Sequence, residues 1–194
     1  MEKTGDLSPN YPKKIENTHY SMGPQVDYGS GRTDNGLPFH TGVTSMSVEE
    51  NVKLMRRWFQ EVWNEGKLQT IHELLAPDAV AVGELEDGAK LRGPAEFAAF
   101  AQRIRGAFPD MNVVVEDVFG ADDKVVLRWS GAMTHLGDHL GIPPTRKRVQ
   151  VTGITIARIA NKQIVEGWDN WDQLGMLKQI GVYQNPQSDL LKSA

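Results

Sequence analysis

Residues 129–181 read WSGAMTHLGDHLGIPPTRKRVQVTGITIARIANKQIVEGWDNWDQLGMLKQIG, and this stretch decides the fold. It contains three strand-like runs rich in β-branched and aromatic residues. A Gly/Pro-rich loop follows the first run, and the tight turn Ala160-Asn161-Lys162 follows the second. Strands joined by such a short turn pair antiparallel. The last run ends in Trp168-Asp169-Asn170-Trp171-Asp172, two indoles beside two carboxylates. A carboxyl in an apolar cup has its pKa raised toward the range of general acid/base chemistry. An amphipathic strand end carrying surface acids has the same composition, so both readings stand at this point.

On the N-terminal side, Asn112–Phe119 and Lys124–Thr134 form a further strand pair across Gly120-Ala121-Asp122-Asp123. The helices precede the strands. Ser47-Val48-Glu49-Glu50 is a capping box, followed at helical spacing by Val52, Met55, Phe59 and Val62, with Gly66 as the stop. Thr70-Ile71-His72-Glu73 is a second box opening a short helix before Pro77, and Ala79–Val82 is a short strand. Pro94 starts a helix carrying Phe97, Phe100, Ile104 and Phe108, and Pro109 ends it. A last helix covers about Leu174–Ile180. Helices first and hairpin-linked strands after predict an α+β fold: a cone-shaped barrel whose curved antiparallel sheet has helices packed on one face and a pocket inside. Residues 1–46 are rich in Gly, Pro, Asn and Ser without periodicity and are expected to form an extended or disordered arm. The cone domain is expected over residues 47–182 and a tail over 183–194.

With 194 residues and 40% hydrophobic content, the chain is long enough for one domain with a real core. It has no cysteine, which excludes disulfides, thiolate nucleophiles and Cys-zinc sites. No run of roughly 18 apolar residues suggests a membrane helix. The polar N-terminus does not read as a secretory signal, so a cytoplasmic protein is expected. A net charge of −4 argues against nucleic acid as a partner, and the basic knot Arg146-Lys147-Arg148 reads as a solvated rim. No phosphate-binding loop, dinucleotide fingerprint or nucleophile elbow is found.

Several short segments, in this order and spacing, resemble the SnoaL-like polyketide cyclases (ester cyclases) of the nuclear-transport-factor-2-like cone fold. They include Glu61-Val62-Trp63-Asn64-Glu65-Gly66, Leu74-Leu75-Ala76-Pro77-Asp78, Ala107-Phe108-Pro109-Asp110, Thr134-His135, Gly141-Ile142-Pro143-Pro144-Thr145 and Trp168-Asp169-Asn170-Trp171-Asp172. The resemblance spans about residues 47–182. It implies a homodimer formed through the outer sheet face and a cofactor-free intramolecular aldol closure on a small hydrophobic ligand. It also implies an aspartate near the end of the last strand as the acid/base, with Asp172 at the matching position and His135 near the pocket mouth. Two departures stand out. The histidine often found after the Pro-Asp of the first strand is missing from Ala79–Gly83, and Thr145-Arg146-Lys147 replaces the family's Thr-Gly-Lys.

On the last strand a period of two puts Trp168, Asn170 and Asp172 on one face, and Asp169 and Trp171 on the other. The pattern leaves the inward face open, while the resemblance favours Asp172. Asp172 is then the expected catalytic carboxylate, or else the N-cap of the last helix. Asp169 is a ligand-contacting acid, or a surface or interface one. His135 is a proton relay, or a rim histidine bonded to loop backbone. Arg128 and Trp129 are adjacent on a strand, so one of them faces the pocket: Arg128 to orient an oxyanion, or Trp129 to shape an apolar wall with Trp168. His135 and His139 are four apart, but in a Gly-broken loop, so no metal site is expected. The expected function is a cofactor-independent cyclase, isomerase or lyase acting on an apolar carbonyl compound. The alternative is a non-catalytic ligand-binding or dimerisation module of the same fold.

Overall fold

The computed structural model describes residues 46–85 and 88–183. The arm over 1–46 and the tail over 183–194 lie outside the described residues, apart from Met46 and Tyr183 at their edges. The elements are α1 (Val48–Trp58), continued by π-helical turns over Phe59–Asn64, then α2 (Leu68–Leu74), β1 (Leu75–Val82) and β2 (Leu91–Arg92). They continue as α3 (Gly93–Ala107), β3 (Asn112–Ala121), β4 (Lys124–Thr134), β5 (Arg148–Ala160), β6 (Gln163–Trp171) and α4 (Gln173–Ile180). This is the expected α+β class.

The local signals act as read. Ser47 Oγ accepts from the Glu50 backbone N–H while Glu50 Oε2 accepts from the Ser47 N–H, which satisfies two free donors at the start of α1. Asn161 and Lys162 both take positive φ, 52° and 64°, the mirror-image turn that matches strand twist in a two-residue hairpin. Strands β4 and β5 alternate buried and exposed positions along their length. Val125, Leu127, Trp129 and Met133 of β4, with Val149, Val151 and Ala157 of β5, face the core beneath α1 and α3.

Three details differ from expectation. The sheet is mixed rather than antiparallel throughout: its order is β2-β1-β6-β5-β4-β3, and β1 runs parallel to β6. The pairing of β1 is irregular between Leu75 and Val80, around Pro77, which has no N–H for a ladder. Thr70 does not cap α2. That helix starts at Leu68, and the buried Thr70 hydroxyl donates to Glu61 Oε2 at 2.5 Å, joining α2 to the π-helical turns. Those turns carry Phe59 against the Trp129 ring, 6.2 Å between centroids, and Trp63 against Phe97 and Phe100.

One apolar row crosses the otherwise largely polar outer face of the sheet. Directly paired positions align Phe119, Val126, Ile156 and Trp168 in one row across β3, β4, β5 and β6. Phe119 is 62% exposed, and Val114 and Ile154 are further exposed apolar side chains on this face.

Candidate active site

The inner face of the sheet and the helices over it enclose a cavity of about 530 Å³, its open mouth included. Its walls are apolar and largely aromatic: Phe59, Trp63, Phe100, Phe108, Trp129 and Trp171, with Met176 of α4 closing one side. A smaller continuation toward β1 shares Phe59, Trp63, Glu84 and Asp169 with it. Across both parts, Glu84 and Asp169 are the only titratable side chains among the described residues that line the walls.

Asp169 is held by a chain of three residues on neighbouring strands. It sits directly opposite Thr155 of β5. The Trp129 indole Nε1–H donates to Thr155 Oγ1 at 3.0 Å, and the Thr155 hydroxyl donates in turn to Asp169 Oδ2 at 3.1 Å. Gly153 makes room for this arrangement, since a Cβ there would lie 2.3 Å from the Trp129 ring. Asp169 Oδ1 is buried and has no hydrogen-bond partner. Burial raises the carboxyl pKa to about 7, against the opposing pull of the Thr155 hydroxyl and the Asn170 amide.

Glu84 follows β1 on a loop brought up against Asp169. Gly83 takes φ +93°, and a Cβ on it would fall 1.8 Å from the Asp169 carbonyl oxygen, so only glycine allows this approach. Gln173 Nε2 donates to the Gly83 carbonyl at 3.1 Å and pins the loop to the start of α4. Glu84 is 8% exposed. Its pKa is pushed well above the usual carboxylate range, first by burial and then by the charge of Asp169.

Of the residues singled out from sequence, Asp169 and Trp129 are brought together in the cavity. The face expected to point inward points out. Asp172 is exposed beyond the end of β6, where its Oδ1 accepts from the Gly175 N–H at 2.8 Å and caps α4. Arg128 lies on the outer face in an ion pair with Asp117 at 2.5 Å. Trp168 adjoins the cavity's continuation but shares the outward row and is 38% exposed. His135 is fully buried, its ring tilted 43° to that of Phe108 with centroids 5.4 Å apart, and is not among the cavity-lining residues. Its Nδ1 accepts the Thr145 backbone N–H at 3.2 Å, which leaves the ring proton of the neutral form on Nε2, a buried atom without a partner. Glu84 and Thr155 escaped the sequence reading. Gly83-Glu84-Leu85 looks like a solvated loop, and Thr155 is one of several threonines on a strand. Among the described residues, no three His, Asp or Glu side chains converge as a metal site, and no helix is long and apolar enough to cross a membrane.

A mixed sheet with helices over it thus encloses an apolar cavity with two carboxyls in its wall. The family model of the SnoaL-like polyketide cyclases matches residues 53–180, and the chain belongs to that family. It is 30% identical over 136 residues to the aklanonic acid methyl ester cyclase DauD of Streptomyces sp. (strain C5), covering 69% of this chain and 83% of that one. The identity is the same to the aklanonic acid methyl ester cyclase DnrD of Streptomyces peucetius, 92% of which is covered. Among solved structures, a SnoaL-like protein from Jannaschia sp. CCS1 superposes with a TM-score of 0.64 at 26% identity, over 70% of this chain and 94% of that one. IdmH from Streptomyces antibioticus does so with a TM-score of 0.59 at 30% identity, over 68% and 98%.

Proposed function

We propose that this protein is a cofactor-independent cyclase that closes a ring in a polyketide-type ester by intramolecular aldol addition, with Asp169 as the proton carrier. The observation that carries this reading is the buried Asp169 Oδ1, without a hydrogen-bond partner, on a residue that lines an aromatic cavity. With its pKa near 7, Asp169 is partly ionised at neutral pH, so it both accepts and returns a proton. The carboxylate takes a proton from a carbon flanked by carbonyl groups, and the C–H electron pair becomes an enolate. The enolate carbon then attacks a second carbonyl of the same molecule, and the resulting alkoxide recovers the proton from Asp169. Atoms and charge balance without a co-reactant. The aromatic walls suit a flat, conjugated substrate and keep water from the enolate. A purely ligand-binding role accounts for the apolar walls but not for two carboxyls buried without a cation, an arrangement that costs folding stability.

The outward row from Phe119 to Trp168 supports the pairing of two copies through the sheet, as the resemblance implied. The direct test of function is turnover of aklanonic acid methyl ester, the substrate named for both curated relatives. Ring closure by the wild-type protein and its loss in Asp169→Asn support the reading. Full activity of that variant overturns it.

A further inference from the structure

The proton carrier accounts for one of the two buried carboxyls. Glu84 lines the same cavity, and no hydrogen bond to its carboxyl exists among the described residues. No lysine, arginine or histidine lines the cavity with it. The approach is built rather than incidental. Parallel pairing of Val82 with Trp168 sends the chain past Asp169, Gly83 packs its bare Cα on the Asp169 carbonyl, and Gln173 fastens the turn.

We infer that Glu84 is a second catalytic residue, whose carboxyl O–H donates a hydrogen bond to the substrate oxygen that becomes the enolate. The inference rests on the proposed role of Asp169. A carboxyl that is buried without a cation and close to another carboxyl keeps its proton. Desolvation and the charge of Asp169 both act in that direction on Glu84. Such an acid has an O–H and no acceptor until a substrate carbonyl enters. When Asp169 removes the carbon-bound proton, negative charge moves to the carbonyl oxygen, and the waiting donor strengthens its bond to it. Glu84 keeps its proton throughout, while Asp169 carries the transferred one. Two like groups thus take different roles because one ionises before the other.

Two variants separate the donor from the acid. Glu84→Gln retains an N–H donor of similar length, whereas Glu84→Leu retains only bulk. With aklanonic acid methyl ester as the probe, Glu84→Leu is expected to lower kcat by about 10²–10³-fold, the usual effect of removing one oxyanion donor. Glu84→Gln is expected to lie within about tenfold of wild type. Near-wild-type turnover by Glu84→Leu, with Asp169→Asn inactive, overturns the role of Glu84 and leaves that of Asp169 intact. Equal losses in the two Glu84 variants also overturn it. Infrared difference spectroscopy of the unliganded protein decides the matter without turnover or the leucine variant. At neutral pH, C=O stretches of protonated carboxyls are expected from Glu84 and, in part, from Asp169, the first removed by Glu84→Gln and the second by Asp169→Asn. If Glu84→Gln removes no such band, Glu84 is ionised and the inference is wrong.

Discussion

The Thr155 hydroxyl donates to Asp169 Oδ2 from the directly opposed position on the neighbouring strand, and it can do so because Trp129 Nε1–H fills one of its acceptor sites. A donor to the ionised carboxylate favours that form and holds the pKa of Asp169 down. Thr155→Val keeps the shape and removes the bond. With the ionised form as the proposed base, kcat/KM is expected to rise with pH through about 7 in the wild type and then level. In Thr155→Val that rise moves to higher pH. The variant also leaves a buried indole N–H unpaired, at a cost of about 1–3 kcal/mol in denaturant unfolding.

The two aspartates that sequence placed side by side are expected to separate cleanly. Asp169→Asn should lower turnover by about 10²–10⁴-fold with the fold retained. Asp172→Asn should stay close to wild type in activity and stability, because asparagine caps helices as well as aspartate does. Asp172→Ala should lose about 1 kcal/mol through its effect on α4. Loss of turnover in Asp172→Asn at unchanged stability would return the catalytic role to Asp172.

Stability should depend on pH through Asp169. Its folded pKa, about 7, lies above the ordinary value of 3.8, so between these limits the folded chain holds a proton that the unfolded chain has released. That contribution is complete below about pH 4 and is lost as pH rises through about 7. The difference is on the order of 4 kcal/mol. Asp169→Asn should therefore unfold at higher denaturant than wild type at pH 8, with the gap closing toward pH 4. An equal gap at both ends would mean that the carboxyl is not desolvated.

Gly83→Ala tests the built approach of the loop. A methyl group would collide with the Asp169 carbonyl, while at Gly88 (φ +73°) nothing lies within 4 Å of an added Cβ. Both positions have positive φ, so Gly88→Ala reports the conformational cost alone, about 1–2 kcal/mol. Gly83→Ala should cost more and should also lower turnover. Equal effects of the two substitutions would remove steric contact as the reason for Gly83.

The outer row predicts assembly. Trp168→Asp or Phe119→Asp should turn a dimer into a monomer in light scattering at micromolar concentration, with the far-ultraviolet circular dichroism unchanged. A monomeric wild-type protein under the same conditions would exclude the pairing.

What the sequence disclosed follows the range of the interactions. Hairpins, the Ser47 capping box and the strand alternation are set by neighbours a few residues apart, and β4, β5 and β6 lie where they were read. The parallel seam between β1 and β6 joins residues far apart in the chain and leaves no local mark. The facing of β6 was undecidable because Trp168 and Trp171 make both of its sides apolar. The resemblance favoured Asp172, but β6 ends at Trp171, so Asp172 belongs to the helix that follows. Glu84 was invisible for a related reason: it lines the cavity together with residues of α3 and β6 that are distant from it in sequence.

The parallel seam has a consequence for how such a site can change. Because β1 and β6 run in the same direction, whatever residue follows Gly83 is delivered beside Asp169, yet it belongs to a turn outside every strand. Replacing it disturbs no ladder hydrogen bond and no buried row. On the proposed mechanism the base is locked into the sheet ladder, whereas its companion lies on a turn, so substitution at position 84 retunes which substrate oxygen is stabilised while leaving Asp169 in place.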